Sequence, residues 1–389
     1  MELYTLDALL RRQEVVDTFD SLIWTERFAE FGDFELRVRS SRAFRSLFEE
    51  GMFVTTDTTD RVMQIETILD GTDDEGHRQL VVKGPSIEKI MDDRMARNTL
   101  DDTTTAPKWT LTGTPGDIAR QIFDDICRNA IVDIKDQIPL LQAGTTYPSG
   151  TIEEPTDVIT IDVEPQSVYE AIKSICDLYD LGFRMYRNYD TSQLYFDVYT
   201  GSDRTTLQQG LPPVIFAPQL DNLTNTSELK SIDGYKNVAI VLSPVGSETV
   251  YSALSDTTVS GFDRRVLTIR ADDITDTDPA VASALMIQRG KEELSKHRKF
   301  MVFDGEVSQF STYKYGTDYR LGDLVEMQND DGAINYMRVT EQIQVSDSEG
   351  ERSYPTLTVY FTITPGSWAA WDPSEVWQDM GLTDYWSTV

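Results

Sequence analysis

The sequence predicts an α+β protein that is mainly β, with two β-barrel or sandwich modules flanking an inserted α/β region. Three observations carry this. The chain has 389 residues, and a single hydrophobic core stops growing at about 250–300 residues, so more than one domain is expected. Apolar/polar alternation, the period of a half-buried strand, dominates both ends. Helical periodicity is concentrated in between.

The first module is read over 1–97. In "FDSLIWTERFAEFGDFELRVR" (19–39), Trp24, Phe28, Phe31 and Phe34 surround a Gly-Asp turn, after which Phe34, Leu36 and Val38 alternate with Glu35, Arg37 and Arg39. Residues 51–84 follow as strand, polar turn, strand, acidic turn, strand. In "PSIEKIMDDRMARN", Ile87, Ile90, Met91 and Met95 share a helical stripe behind Pro85 and Ser86, so a closing helix is predicted.

The α/β region is placed at 98–230. A polar run leads into a helix with Ile118, Ile122 and Ile126 four apart. "EPQSVYEAIKSICDLYDLGF" is the clearest helix of the chain, with Val168, Ile172, Ile175 and Tyr179 on its apolar stripe and Gly182 as its stop. A hairpin around Asn188–Asp190 follows.

The second β module, 231–365, begins with "YKNVAIVLSPV" and "FDRRVLTIRAD" and carries a helix over about 278–297. "KFMVFDGEV", a hairpin around "NDDG", and "YPTLTVYFTIT" complete it. Residues 366–389 form an acidic C-terminal arm with four of the six tryptophans, Trp368, Trp371, Trp377 and Trp386. Exposed tryptophans at that density invite aggregation, so they are expected to be covered, either by the chain's own barrel or by a neighbouring protein.

Composition and motifs exclude much. With 66 acidic against 35 basic residues the net charge is −31, a field that repels nucleic-acid phosphate and anionic lipid. No apolar run approaches the roughly 20 residues that span a bilayer, and the first residues lack a basic start followed by an apolar stretch. A cytoplasm-like site of synthesis is expected, unless a particle carries the protein out. Cys127, Cys176, His77 and His297 are the only cysteines and histidines. None has the paired spacing of a zinc site, and the thiols read as buried and free. Nucleotide, metalloprotease and serine-hydrolase signatures are missing, the acidic turns lack calcium-loop spacing, and adjacent aspartates read as solvated faces. No enzyme and no cofactor is predicted.

"FDSLIWTERFAEFGDFEL" resembles the opening signature of a family of minor tail proteins from long-tailed actinobacterial phages, carried here by Asp20–Trp24 and Gly32–Leu36. "YKNVAIVLS", "SGFDRRVLTIRAD" and "LGDLVEM" occur in that family's order and spacing. Phe31, before the Gly, and Val266, after the two arginines, depart from its pattern. The resemblance implies tube-like barrels and a homotrimeric baseplate or tail-tip hub that adapts a sixfold tail tube to a threefold tip. It further implies a distal tail protein or tube above, a tip or fibre protein below, and DNA passing without specific binding or membrane insertion. The particle would be assembled in the host cytoplasm and would carry the chain at its tail tip. Trp24, Phe28 and Phe34 would then be scaffold, as core and inter-subunit edge of the first barrel, and part of the negative charge would line the channel. The alternatives from other classes are a tail protein that binds a receptor or cell-wall glycan, and a cell-wall-degrading tail enzyme.

Overall fold

The computed structural model describes residues 1–72, 76–98, 109–143, 150–245, 248–254, 259–275, 278–297, 299–308, 312–328 and 334–359. It divides into two compact units. Met1–Gly234 with Arg298–Val359 make the first, and Tyr235–His297 belong to the second. This division cuts across the segments drawn from the sequence, because 298–359 groups with the N-terminal regions while 235–297 falls in the second unit.

The first unit is organised by a ten-stranded sheet. Its main path runs Thr224–Ser231, Phe300–Ser308, Gly350–Val359, Ile334–Asp347, Ser21–Arg27, Asp33–Arg39, Arg78–Pro85, Thr67–Thr72, and every neighbouring pair on that path is antiparallel. The 14-residue strand Ile334–Asp347 joins the two ends of the chain. Its first part pairs with Leu324–Gln328 and its second with Ser21–Arg27. Its register against Gly350–Val359 shifts between Val339 and Glu341. An extra residue bends a strand, and the strand changes partner at that bend.

The N-terminal alternation is realised as read: Leu22, Trp24, Phe34, Leu36, Val38, Leu80 and Val82 point into one core. A second sheet of Leu3–Leu6, Arg12–Val16, Phe53–Thr56 and Met63–Gln64 supplies Leu3, Val16, Val54 and Met63 to that core. A Met63–Ser86 bridge ties this sheet to the end of the Arg78–Pro85 strand. Helix α1 (Arg42–Leu47) starts at Ser41, whose hydroxyl accepts from the Phe44 amide at 3.1 Å. The closing helix expected after Pro85 is only a 3-10 turn, Ile87–Met91, followed by the two-residue strand Met95–Ala96. Glu88 lies buried inside that turn and bonds elsewhere, so an apolar stripe alone does not describe it.

In the inserted region, Thr114 caps α2 (Pro115–Phe123), which runs on into a π turn Asp124–Arg128. Ser167 caps α3 (Val168–Tyr179). The stop of α3 is Asp180 in the left-handed conformation (φ 53°), with Gly182 instead opening the next strand. The hairpin Gly182–Arg187 and Leu194–Tyr199 packs on these helices, with Phe123 and Phe196 stacked at 3.8 Å. Cys127 and Cys176 are free and buried in this core. Burial pushes the Cys127 thiol up to about 12.

The C-terminal strands build their own core from Phe216, Phe303, Tyr319, Val325, Met337 and Leu357. The "NDDG" turn, 329–332, lies outside the described residues, but the strands on either side pair as a hairpin. The second unit places Val238–Val245 between antiparallel Glu248–Leu254 and parallel Val266–Arg270, with α4 (Pro279–Ser295) packed through Val241, Ala271, Ile274, Ala282 and Met286. Among the described residues no helix is long and apolar enough to cross a membrane.

Candidate functional site

The aromatic stretch that opens the chain splits between two places. Trp24 and Phe34 lie in the first β core with ring centroids 6.0 Å apart. Phe28 follows the Ser21–Arg27 strand and sits where three regions meet. Its amide donates to the Thr340 carbonyl at 2.9 Å, and its carbonyl accepts from the Phe183 amide at 3.0 Å. Its ring meets Tyr199 edge-on at 5.2 Å, and the Arg338 guanidinium lies 4.8 Å above it. Arg338 also donates to the carbonyls of Thr200 and Gly322. Gly182 and Gly322 make room for the ring, because a Cβ on either would run into it. All three aromatics are buried within one chain. Side chains without exposed surface have none to offer a second copy, so surface contacts must use other residues.

Beside this junction lies a buried polar cluster. Glu26 accepts from the Trp24 indole N–H at 3.1 Å, from the Thr59 hydroxyl at 2.5 Å and from the Tyr315 hydroxyl at 2.7 Å. Burial, then the Glu26 carboxylate, raises the Tyr315 phenol well above its usual range. Arg61 pairs with Glu88, which also accepts from the Met185 amide at 2.8 Å. Burial alone would lower the Arg61 pKa, but the Glu88 charge outweighs it and keeps the guanidinium ionised. These groups come from the first module, the 3-10 turn, the hairpin and the segment between the strands Phe300–Ser308 and Leu324–Gln328. The cluster fastens parts together. Its carboxylates accept from buried donors, and among the described residues no group of three or more His, Cys, Asp or Glu could hold a metal ion. Sequence reasoning missed it, although Glu26-Arg27 in "LIWTERF" and Asp60-Arg61 in "TTDRVMQI" are charged interruptions of apolar runs of the kind that mark such groups.

The other face of the long sheet is charged and paired. Glu35 accepts from Arg37 and binds Lys83, both at 2.5 Å. Arg27 bridges Asp33 at 2.7 Å and Glu341 at 2.6 Å, and Arg352 pairs with Asp347 and Glu349. Burial would raise the Glu35 pKa, yet hydrogen bonds from Lys83 and Arg37 leave it lowered. At the two ends of the path, Thr67–Thr72 and Thr224–Ser231 each have one strand partner among the described residues. Leu69 and Leu229 on these edges are 60% and 53% exposed. Trp368, Trp371, Trp377 and Trp386 lie outside the described residues.

A family model described as "Siphovirus ReqiPepy6 Gp37-like protein" matches residues 1–358. The chain belongs to that siphovirus family. The resemblance first carried by Asp20–Trp24 and Gly32–Leu36 is thereby borne out. A tail protein from Neisseria meningitidis MC58 has a similar structure (TM-score 0.58, 14% identity, covering 95% of this chain and 98% of that one). So has the 43 kDa tail protein of prophage MuSo2 from Shewanella oneidensis (TM-score 0.53, 13% identity, 92% and 96%). At such identities the likeness is one of fold. No curated protein sequence matches the chain. Family and fold agree on a mainly β chain of a siphovirus family, with a fold shared by solved phage tail proteins.

Proposed function

We propose that three copies of this chain close into the hub of a tail tip, joining the sixfold tube to a threefold tip and leaving an axial bore for DNA. The observation that supports it most is the alternation of strand direction along the eight-strand path. Because the number is even, the two edge strands run in opposite senses. The Thr67–Thr72 edge of one copy can therefore meet the Thr224–Ser231 edge of the next as another antiparallel pair. Such a head-to-tail contact makes a ring when its rotation closes, and closure removes the free edges that otherwise invite open-ended association. Three copies would supply twenty-four strands. At about 4.8 Å per strand the circumference is about 115 Å and the diameter about 37 Å, more when the strands tilt.

On this reading the ion-paired face lines the bore. Its Arg27, Arg37, Lys83 and Arg352 are engaged by carboxylates, which weakens their hold on passing phosphate, and Arg39 is the cation of that face without an ion pair among the described residues. The wall is then balanced, a revision of the acidic lining expected from composition. The neighbours above and below would be tail tube or distal tail protein and tip or fibre protein, and the chain would reside in the virion at the tail tip.

Imaging of the assembled particle tests the reading together with the mass of the purified chain in solution. Threefold density on the tail axis and a trimer that Leu69→Lys or Leu229→Lys dissociates are expected. A peripheral location, or a chain that stays monomeric at every concentration, would overturn it.

A further inference from the structure

The second unit carries a feature that the hub reading leaves unused. In "SGFDRR" (260–265), Phe262 is fully exposed, at 105% of the reference area. The loop is held rather than slack. Gly261 takes the left-handed conformation (φ 65°) and opens a 3-10 turn, Gly261–Asp263. Asn237 clamps the turn: its side-chain N–H donates to the Asp263 carbonyl at 2.8 Å, and its side-chain oxygen accepts from the Arg265 amide at 2.9 Å. The Arg264 amide donates to Gly261 at 3.3 Å, and its guanidinium to the Val259 carbonyl at 3.3 Å. An aromatic residue presented on a preorganised turn spends little ordering entropy on binding, and aromatics and arginines dominate interface hot spots.

Charge identifies the occupant. Residues 235–297 contain seven basic and nine acidic residues, a net of −2, which leaves −29 of the chain's −31 outside them. An aromatic tip with Arg264 and Arg265 behind it fits an acidic surface with exposed apolar side chains. The chain offers that chemistry itself: Ile131 and Ile134 are 62% and 67% exposed in a segment whose charged residues are Asp133, Lys135 and Asp136, a net of −1.

We propose that the Phe262 tip docks on an acidic, apolar-dotted surface of a second copy of this chain, a contact that rests on the reading that copies assemble in a particle and adds to the edge pairing a second point of attachment.

Full-length protein with p-benzoylphenylalanine at position 262 tests it by photocrosslinking, followed by mapping of the captured peptide. Capture of another copy of this chain is expected, and capture of a different protein, or of nothing, would overturn the proposal. Sedimentation of Phe262→Ser and of Arg264→Glu/Arg265→Glu, with folding checked by melting, should show at least about tenfold weaker self-association, more salt-sensitive in the wild type than in the charge variant. Unchanged association of Phe262→Ser would sink it. Leu69→Lys separates the two ideas. If that edge variant falls apart while Phe262→Ser does not, the ring stands and the tip fails; the converse keeps the tip and removes the edge seam.

Discussion

Arg338 lies over the ring of Phe28, its guanidinium carbon 4.8 Å from the centroid, while the edge of the ring faces Tyr199 at 5.2 Å and 90°. One side chain from the first strands is thus gripped by groups from the hairpin and from the C-terminal sheet. Phe28→Ala should lower unfolding free energy by about 3–5 kcal/mol, and Phe28→Leu by clearly less, because truncation leaves a cavity among three regions. Urea unfolding of the two variants against wild type checks the order.

Gly182 and Gly322 abut the same ring. At Gly322 the backbone is also left-handed (φ 87°). Gly322→Ala should therefore destabilise by roughly 2–4 kcal/mol, overpacking and backbone strain together. Combining it with Phe28→Leu should recover part of the loss, a non-additivity that a double-mutant cycle detects.

Arg61 and Glu88 form a buried ion pair, so breaking it and replacing it are different experiments. Glu88→Gln or Arg61→Met alone should cost about 3–5 kcal/mol, since a buried charge is left without its counter-ion. Arg61→Met with Glu88→Met together should cost less than either single change. Thermal melts of the three variants give the comparison.

Cys127 sets an alkaline limit. Its folded-state pKa is pushed up to about 12 from an ordinary 9.0 by burial. Below pH 9 the thiol is protonated in both states and its contribution is complete. As pH rises from 9 to 12 the unfolded chain loses the proton first, and that contribution drains away. The unfolding midpoint should fall across that window, less steeply in Cys127→Ala. A thiol reagent at pH 8 should label the denatured chain and spare the native one.

Strands and helices were legible where period and punctuation agreed. Phe34, Leu36 and Val38 pointed inward as read, and Val168, Ile172 and Ile175 of the predicted stripe are buried in α3. Failures came where local signals competed with distant partners. Ile87–Met91 carries a helical stripe, but Glu88 is drawn into the Arg61 pair and the Met185 amide, and the segment stays a single turn. Asp180 took the left-handed cap that Gly182 was expected to supply, freeing Gly182 to approach Phe28. The partner of Ser21–Arg27 was invisible from sequence, because strand pairing across the chain leaves no mark at either end.

The Arg27–Glu341 contact spans 314 residues, and that separation bears on synthesis. A ribosome adding about 5–20 residues per second needs roughly 15–60 s between delivering one strand and its partner. Throughout that interval the edge of Ser21–Arg27 that later receives Ile334–Asp347 stays open. The N-terminal half must therefore wait, collapsed but unzipped, in a cell filling with other copies of itself. Productive folding is then post-translational and slow, as non-local pairing demands, and the yield of this protein is set by how well that waiting edge is shielded from its siblings.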